Sequence, residues 1–192
     1  MIRVSAILLA AGLSRRMGDD KLLLMYRNKT LLQCAVELLS ELPVFERIIV
    51  TSKEKSADIT QTSCTRLIVN PYPEKGQSGS IRLGVEAAAG THFLFLTADQ
   101  PGLCPDDVIP FLEKAKSNPG MIIFPVIDGK PNSPAIFPDS FRQELLSLSG
   151  DTGGRTIRDA NPEACLSFVP KRPECFLDVD SKHDYEKILD RL

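Results

Sequence analysis

The runs Val4–Leu9 (VSAILL) and His92–Thr97 (HFLFLT) are apolar almost throughout rather than at alternate positions, and this restricts the fold more than any other feature of the chain. A strand wet on one face alternates. One that does not alternate is covered on both, as in a parallel sheet with helices above and below. Arg47–Thr51 (RIIVT), Arg66–Asn70 (RLIVN) and Met121–Val126 (MIIFPV) read as further strands, with Pro125 confined to an end or an edge. Between them, Leu31, Ala35, Leu38, Leu39 and Leu42 follow helical spacing up to Pro43, and Ile81, Val85, Ala88 and Ala89 do so up to Gly90. Pro105 and Asp106 can open a helix that runs through Asn118.

Asp128-Gly129 marks a turn, after which 134–137 (PAIF) can return as a partner strand. Phe141, Leu145 and Leu148 suggest a short helix, Phe168 and Phe176 two short strands, and Ser181 with Asp184 caps a last helix to Leu192. The expectation is a three-layer α/β/α architecture with a mostly parallel, mixed sheet, formed as one domain from the 192 residues. In such sheets ligands gather beyond the carboxyl ends of the strands. That rule selects residues 10–21, 97–104 and the loop before 181.

Composition narrows the chemistry. The formal net charge is −2 from 23 basic and 25 acidic residues, which gives no broad field for nucleic acid or a membrane surface. No apolar run approaches the ~18 residues of a membrane span. The apolar start reads as a buried first strand rather than a cleaved leader, because it passes straight into a Gly/Arg/Lys loop. Five cysteines without a CxxC pair read as buried thiols of a reducing cytoplasm, and two histidines make a zinc site or a His-activated nucleophile a poor expectation. His183, Cys104 and the Lys171-Arg172 pair are read as surface, packing and turn residues. Carboxylates, lysine, arginine and backbone are left to carry the chemistry.

Three segments supply them. Residues 10–21 combine Gly12 and Gly18 with Arg15, Arg16 and Lys21, a loop whose amides and cations suit phosphate oxygens. It contains neither GxxxxGK[ST] nor GxGxxG, and a solvated connection remains the alternative. Asp99 follows an apolar strand, where a hard oxygen ligand suits Mg²⁺, or where Asp simply opens a turn before Pro101. Alternation puts Asp178 and Asp180 on the same side of a strand just before a helix, where one can join Asp99 at a metal or both can cap the last helix. A basic glycine loop with a strand-end Asp and a late Asp amounts to a site for a metal-bound triphosphate.

LLAAGLSRRMGDDK at 8–21 resembles the LAAGxSxRMGxxK signature of MobA-like nucleotidyltransferases, most closely the molybdenum cofactor cytidylyltransferase group. GQSGSIRLGV at 76–85, LTADQPGL at 96–103, GDTGGR at 150–155 and DVDSKHDY at 178–185 continue the likeness in the family's order. The resemblance implies a Rossmann-like nucleotidyltransferase fold. It also implies that Leu9, Ala10, Ala11, Gly12, Ser14, Gln77, Ser78 and Ser80 lie along the nucleotide. Arg16 and Lys21 would meet the triphosphate and act with Asp99 in catalysis, and Asp99 and Asp180 would hold Mg²⁺. Gln100, Pro134, Asp151, Gly153 and Gly154 would face the acceptor, with Pro134 in a loop that reads equally as a surface hairpin. The implied reaction joins CMP from CTP to molybdenum-bearing molybdopterin, with a molybdenum hydroxylase as the receiving protein. Guanylyl relatives usually carry LAGG where this chain has Leu9-Ala10-Ala11-Gly12, so the Ala11 methyl favours the smaller base of CTP, while Asp20-Lys21 resembles the GTP branch. A GTP-dependent guanylyltransferase, a sugar-phosphate nucleotidyltransferase and a non-catalytic cofactor carrier for a molybdenum hydroxylase are the competing readings.

Overall fold

A computed structural model describes residues 1–12, 20–59 and 64–189. Ten strands and six α-helices are formed among the described residues. In chain order they are β1 (Val4–Ala10), β2 (Met25–Tyr26), β3 (Lys29–Thr30), α1 (Leu31–Glu41), β4 (Glu46–Thr51), β5 (Thr65–Val69), α2 (Gln77–Ala87) and β6 (His92–Thr97). There follow α3 (Pro105–Ser117), β7 (Ile122–Ile127), β8 (Lys130–Pro131), β9 (Ala135–Pro138), α4 (Arg142–Ser147), α5 (Gly154–Ala160), β10 (Cys165–Phe168) and α6 (Lys182–Leu189).

The main sheet runs β10-β7-β9-β6-β1-β4-β5, with β8 added to β7. β1 lies parallel between β4 and β6, β5 is parallel to β4, and β10 is parallel to β7. β9 alone reverses the main path, pairing antiparallel with both β6 and β7. Adjacent residues of β1 feed opposite layers, as the period of two requires. Val4, Ala6, Leu8 and Ala10 pack with α1 and α3, while Ile7 joins Ile81 and Val85 of α2, Leu145 of α4 and Ile157 of α5. Both faces of the sheet are therefore dry, and the three-layer expectation is met. No helix among the described residues is long and apolar enough to cross a membrane.

Local signals explain most boundaries. Thr30 caps α1 in a reciprocal box with Gln33, and Ser181 does the same for α6 through Asp184. Asp128 and Gly129 both have positive φ, 49° and 75°, and close the two-residue hairpin that joins β7 to β8. PAIF returns into the sheet as expected, although β8 rather than β9 is the hairpin partner. Pro125 occupies an interior strand, but at Phe168, the last residue of the β10 ladder, so its missing N–H breaks little. One strand expectation fails. Phe176 ends a 3₁₀ turn, Pro173–Phe176, because two prolines at 170 and 173 leave too few ladder donors.

Candidate active site

β1 and β6 run side by side in register, Leu9 opposite Thr97, so Ala11-Gly12 and Ala98-Asp99 leave the sheet together at its carboxyl edge. A third segment closes on them. The Val179 N–H donates to the Asp99 carbonyl at 2.9 Å and its side chain is fully buried, which turns Asp178 and Asp180 on either side of it toward the same opening. The segment is extended but joins no sheet. The expected alternation therefore survives without a strand. Across the opening stands the start of α2, with Gln77 and Ser80, preceded by Pro73–Gly76. Asp151 and Ser133 complete the rim of a cleft of about 800 Å³. Gly76, at φ 97°, lets the chain enter α2 directly against the Gly150 carbonyl, where a Cβ would come within 2.5 Å.

At the floor the Lys21 ammonium donates to Asp99 Oδ2 at 2.7 Å and to Asp180 Oδ1 at 2.9 Å. Burial alone would lower the Lys21 pKa, but the two carboxylates outweigh it and hold the ammonium above its ordinary value. Asp99 Oδ1 is buried without a hydrogen-bond partner, as is the Thr97 hydroxyl on the cleft wall. Beside them the Asp178 carboxyl is pushed up to about 7 by burial and by the charges of Asp99 and Asp180, which Lys21 only partly offsets. Among the described residues, Asp99, Asp178 and Asp180 thus gather beside the Lys21 ammonium, which bonds Asp99 and Asp180. Among the described residues no group of three or more His, Cys, Asp or Glu side chains is arranged to hold a metal ion by itself. Two carboxylates converging on one cation within 2.9 Å, with one oxygen left unsatisfied, nonetheless form a hard-oxygen donor set that suits a divalent ion completed by phosphate.

Of the residues expected from sequence, Leu9, Ala11, Gly12, Lys21, Gln77, Ser80, Asp99, Asp151 and Asp180 line this cleft. Ser14 and Arg16 lie outside the described residues. Ala10 is completely buried in the layer of α1 and α3, because its neighbours Leu9 and Ala11 take the cleft side. Ser78 is buried too, and its hydroxyl donates to the Gly150 carbonyl at 2.6 Å, so it holds the 150 loop against α2. Gln100 is a buried strut: its amide donates to the carbonyls of Phe176 (3.0 Å) and Ser133 (3.2 Å), joining the two loops that flank Asp99. Pro134 follows a cis peptide bond and leaves the rim to Ser133. Gly153 and Gly154 act through close packing, since a Cβ would meet Gln77 Oε1 at 2.6 Å and Phe137 Cζ at 2.7 Å respectively. At Gly12, which lines the cleft, a Cβ would meet no atom of the described residues within 4 Å.

Sequence reasoning missed several participants. Glu74 and Lys75 stand at the mouth, Lys75 with its ammonium 4.1 Å above the Tyr72 ring. Lys55 escaped notice altogether. It is buried in a 3₁₀ turn, Lys55–Asp58, and its ammonium donates to the Gly12 carbonyl and to Asp20 Oδ2, the latter at 3.0 Å. Nothing local marks it, because its partners lie about 40 residues earlier in the chain. Arg172, read as a turn tip, makes a two-pronged pair with the buried carboxylate of Asp107 at 2.6 and 3.0 Å.

A family model described as the MobA-like NTP transferase domain matches residues 6–165. The molybdenum cofactor guanylyltransferase of Syntrophotalea carbinolica is 32% identical over 115 residues, 60% of this chain and 53% of that protein. The chain thus spans about half the length of that relative. The molybdenum cofactor cytidylyltransferase of Escherichia coli K12 is 25% identical over 192 residues, 96% of this chain and 95% of that one. Among solved structures, Rv0371c from Mycobacterium tuberculosis H37Rv has a TM-score of 0.81 at 23% identity, with 98% of both chains covered.

Proposed function

The chain belongs to the MobA-like NTP transferase family, and on that premise we propose that this nucleotidyltransferase, working as one domain over residues 1–192, joins CMP from CTP to molybdenum-bearing molybdopterin. The observation that carries the reading is the convergence of Lys21, Asp99 and Asp180 beside the Ala11-Gly12 backbone in a cleft of about 800 Å³. In the proposed step a phosphate oxygen of the acceptor attacks the α-phosphorus of the nucleotide. The bond from that phosphorus to the β-bridging oxygen breaks, and pyrophosphate leaves with the bonding pair. Such transfers need positioning and charge neutralisation more than covalent help. Lys21 meets the charge that grows on the leaving oxygens, and Arg16 is assigned to the same triphosphate with Ser14 beside it. Asp99 and Asp180 would hold Mg²⁺, which when bound neutralises and orients phosphate oxygens.

Leu9, Ala11, Gly12, Gln77 and Ser80 are assigned to the nucleotide side, and Asp151 with Ser133 to the acceptor side. Gly12 lines the cleft and no atom of the described residues lies within 4 Å of where its Cβ would stand, which supports close approach of a ligand to the backbone. Five cysteines without a CxxC pair are in keeping with a cytoplasmic setting, and the dinucleotide product would pass to a molybdenum hydroxylase.

A second reading keeps the chemistry and exchanges CTP for GTP. It is favoured by the guanylyl relative at 32% identity and by Asp20-Lys21, whereas the Ala11 methyl at the cleft wall favours the smaller base. The test is the ratio of kcat/KM for CTP over GTP in the wild type and in Ala11→Gly. We expect CTP preference in the wild type and a fall of about tenfold in the variant, the order that one methyl group in a pocket gives. Preference for GTP in the wild type would transfer the chain to the guanylyl reading.

A further inference from the structure

Lys55 is a buried cation outside the cleft. Its side chain is 5% exposed, and a buried ammonium is costly unless it is paired. Here it is paired twice, and both partners flank the first loop: the Gly12 carbonyl where the chain leaves β1, and Asp20 Oδ2 where the described chain resumes. Asp20 uses its other oxygen, Oδ1, to accept from the Leu22 N–H at 3.2 Å, capping the 3₁₀ turn Lys21–Leu23. The first residue of that turn is Lys21, whose ammonium reaches Asp99 and Asp180. One continuous set of contacts therefore runs from Lys55 through Asp20 to the Lys21 backbone and on to the cleft floor.

We infer that Lys55 is a positioning residue for nucleotidyl transfer, fixing the Gly12 backbone and the Lys21 turn at the spacing that a bound triphosphate requires. The inference rests on the proposed nucleotidyltransferase reading and extends it to a residue that touches no substrate. A methyl or amide in place of the ammonium cannot tie both flanks. The bridge from the Gly12 carbonyl to Asp20, the residue that caps the Lys21–Leu23 turn, is then lost. The cost would appear in nucleotide affinity, because the misplaced groups are those that meet the nucleotide before any bond changes.

The experiment is calorimetric titration of CTP, with Mg²⁺ and without acceptor, into the full chain as wild type, Lys55→Met, Lys55→Arg, Asp20→Asn and Lys55→Met/Asp20→Asn. Each affinity is corrected for the folded fraction found by near-UV circular dichroism. Lys55→Met should bind CTP at least tenfold more weakly, with Lys55→Arg recovering much of the loss. Asp20→Asn should add less than twofold in the Lys55→Met background, since both changes break one link. Should Lys55→Met fail to fold, Asp20→Asn breaks the same link from its less buried end and must weaken CTP at least threefold. Wild-type affinity in the folded fraction of Lys55→Met, or additive effects of the two changes, would overturn the inference while leaving the transferase reading intact. A wild type that binds neither CTP nor GTP would overturn both.

Discussion

Removing the Lys21 ammonium would leave Asp99, Asp178 and Asp180 facing one another, with Asp99 only 19% exposed. Two costs should follow, and they can be separated. Lys21→Met is expected to lower kcat by about 10² to 10³, the usual cost of deleting one donor aimed at developing charge. It should also lower stability by about 1–3 kcal/mol, because a buried acceptor loses its partner. Adding Asp99→Asn to that variant should restore much of the stability and none of the turnover. Thermal melts and steady-state rates of the single and double variants check this. Recovery of rate together with stability would mean that Lys21 serves the fold alone. The raised pKa of Lys21 keeps it charged at neutral pH: its contribution is complete below the unfolded value of 10.5 and fades only as pH rises through the higher folded value.

At the scale of elements, most of the structure was legible because local and global preferences agree. Leu31–Leu42 reads as a helix from spacing alone, and its Thr30–Gln33 box and Pro43 stop are both present in the sequence. The β2–β3 hairpin was not legible, since Arg27 and Asn28 adopt φ of 48° and 65° without the glycine that usually signals such a turn. Nor was α5, whose seven residues carry a single buried apolar side chain, Ile157, and so show no period. His92 illustrates an element pinned at its start. Its Nε2 must donate to the Pro119 carbonyl at 2.9 Å, which leaves Nδ1 to accept from the Thr91 hydroxyl at 3.1 Å, so the neutral ring ties β6 to the α3–β7 connection. Burial, only partly opposed by the Pro119 carbonyl and Asp139, lowers its pKa below 6.5. A depressed histidine binds fewer protons folded than unfolded, so its contribution is full above pH 6.5 and declines as pH falls through the folded value. His92→Gln should flatten the loss of melting temperature between pH 7 and pH 5 relative to wild type. An unchanged slope would show that the ring does not titrate on unfolding.

Across the whole molecule, the described residues of the three segments selected from sequence do meet at one edge of the sheet, because β1 and β6 are neighbours and the 177–180 segment is bonded to Asp99. The rule of ligands beyond parallel strand ends was enough for that. What it could not supply were contacts between distant parts: Lys55 on Gly12 and Asp20, Gln100 on Phe176 and Ser133, and Arg172 on Asp107. These follow from the packed fold rather than from local pattern. Asp178 belongs with them, since its raised pKa comes first from burial and then from the charges of Asp99 and Asp180, which only the packed fold brings beside it.

The most direct test of the central claim follows the α-phosphorus. Purified protein with Mg²⁺ and molybdenum-bearing molybdopterin is given CTP labelled at either the α- or the γ-phosphate, and Asp99→Asn is run in parallel. The account requires α-label on the acceptor, one pyrophosphate per label transferred, γ-label only in pyrophosphate, and at least a hundredfold slower transfer by Asp99→Asn. Transfer of the γ-label, no transfer from either CTP or GTP to an intact acceptor, or undiminished transfer by Asp99→Asn would contradict it.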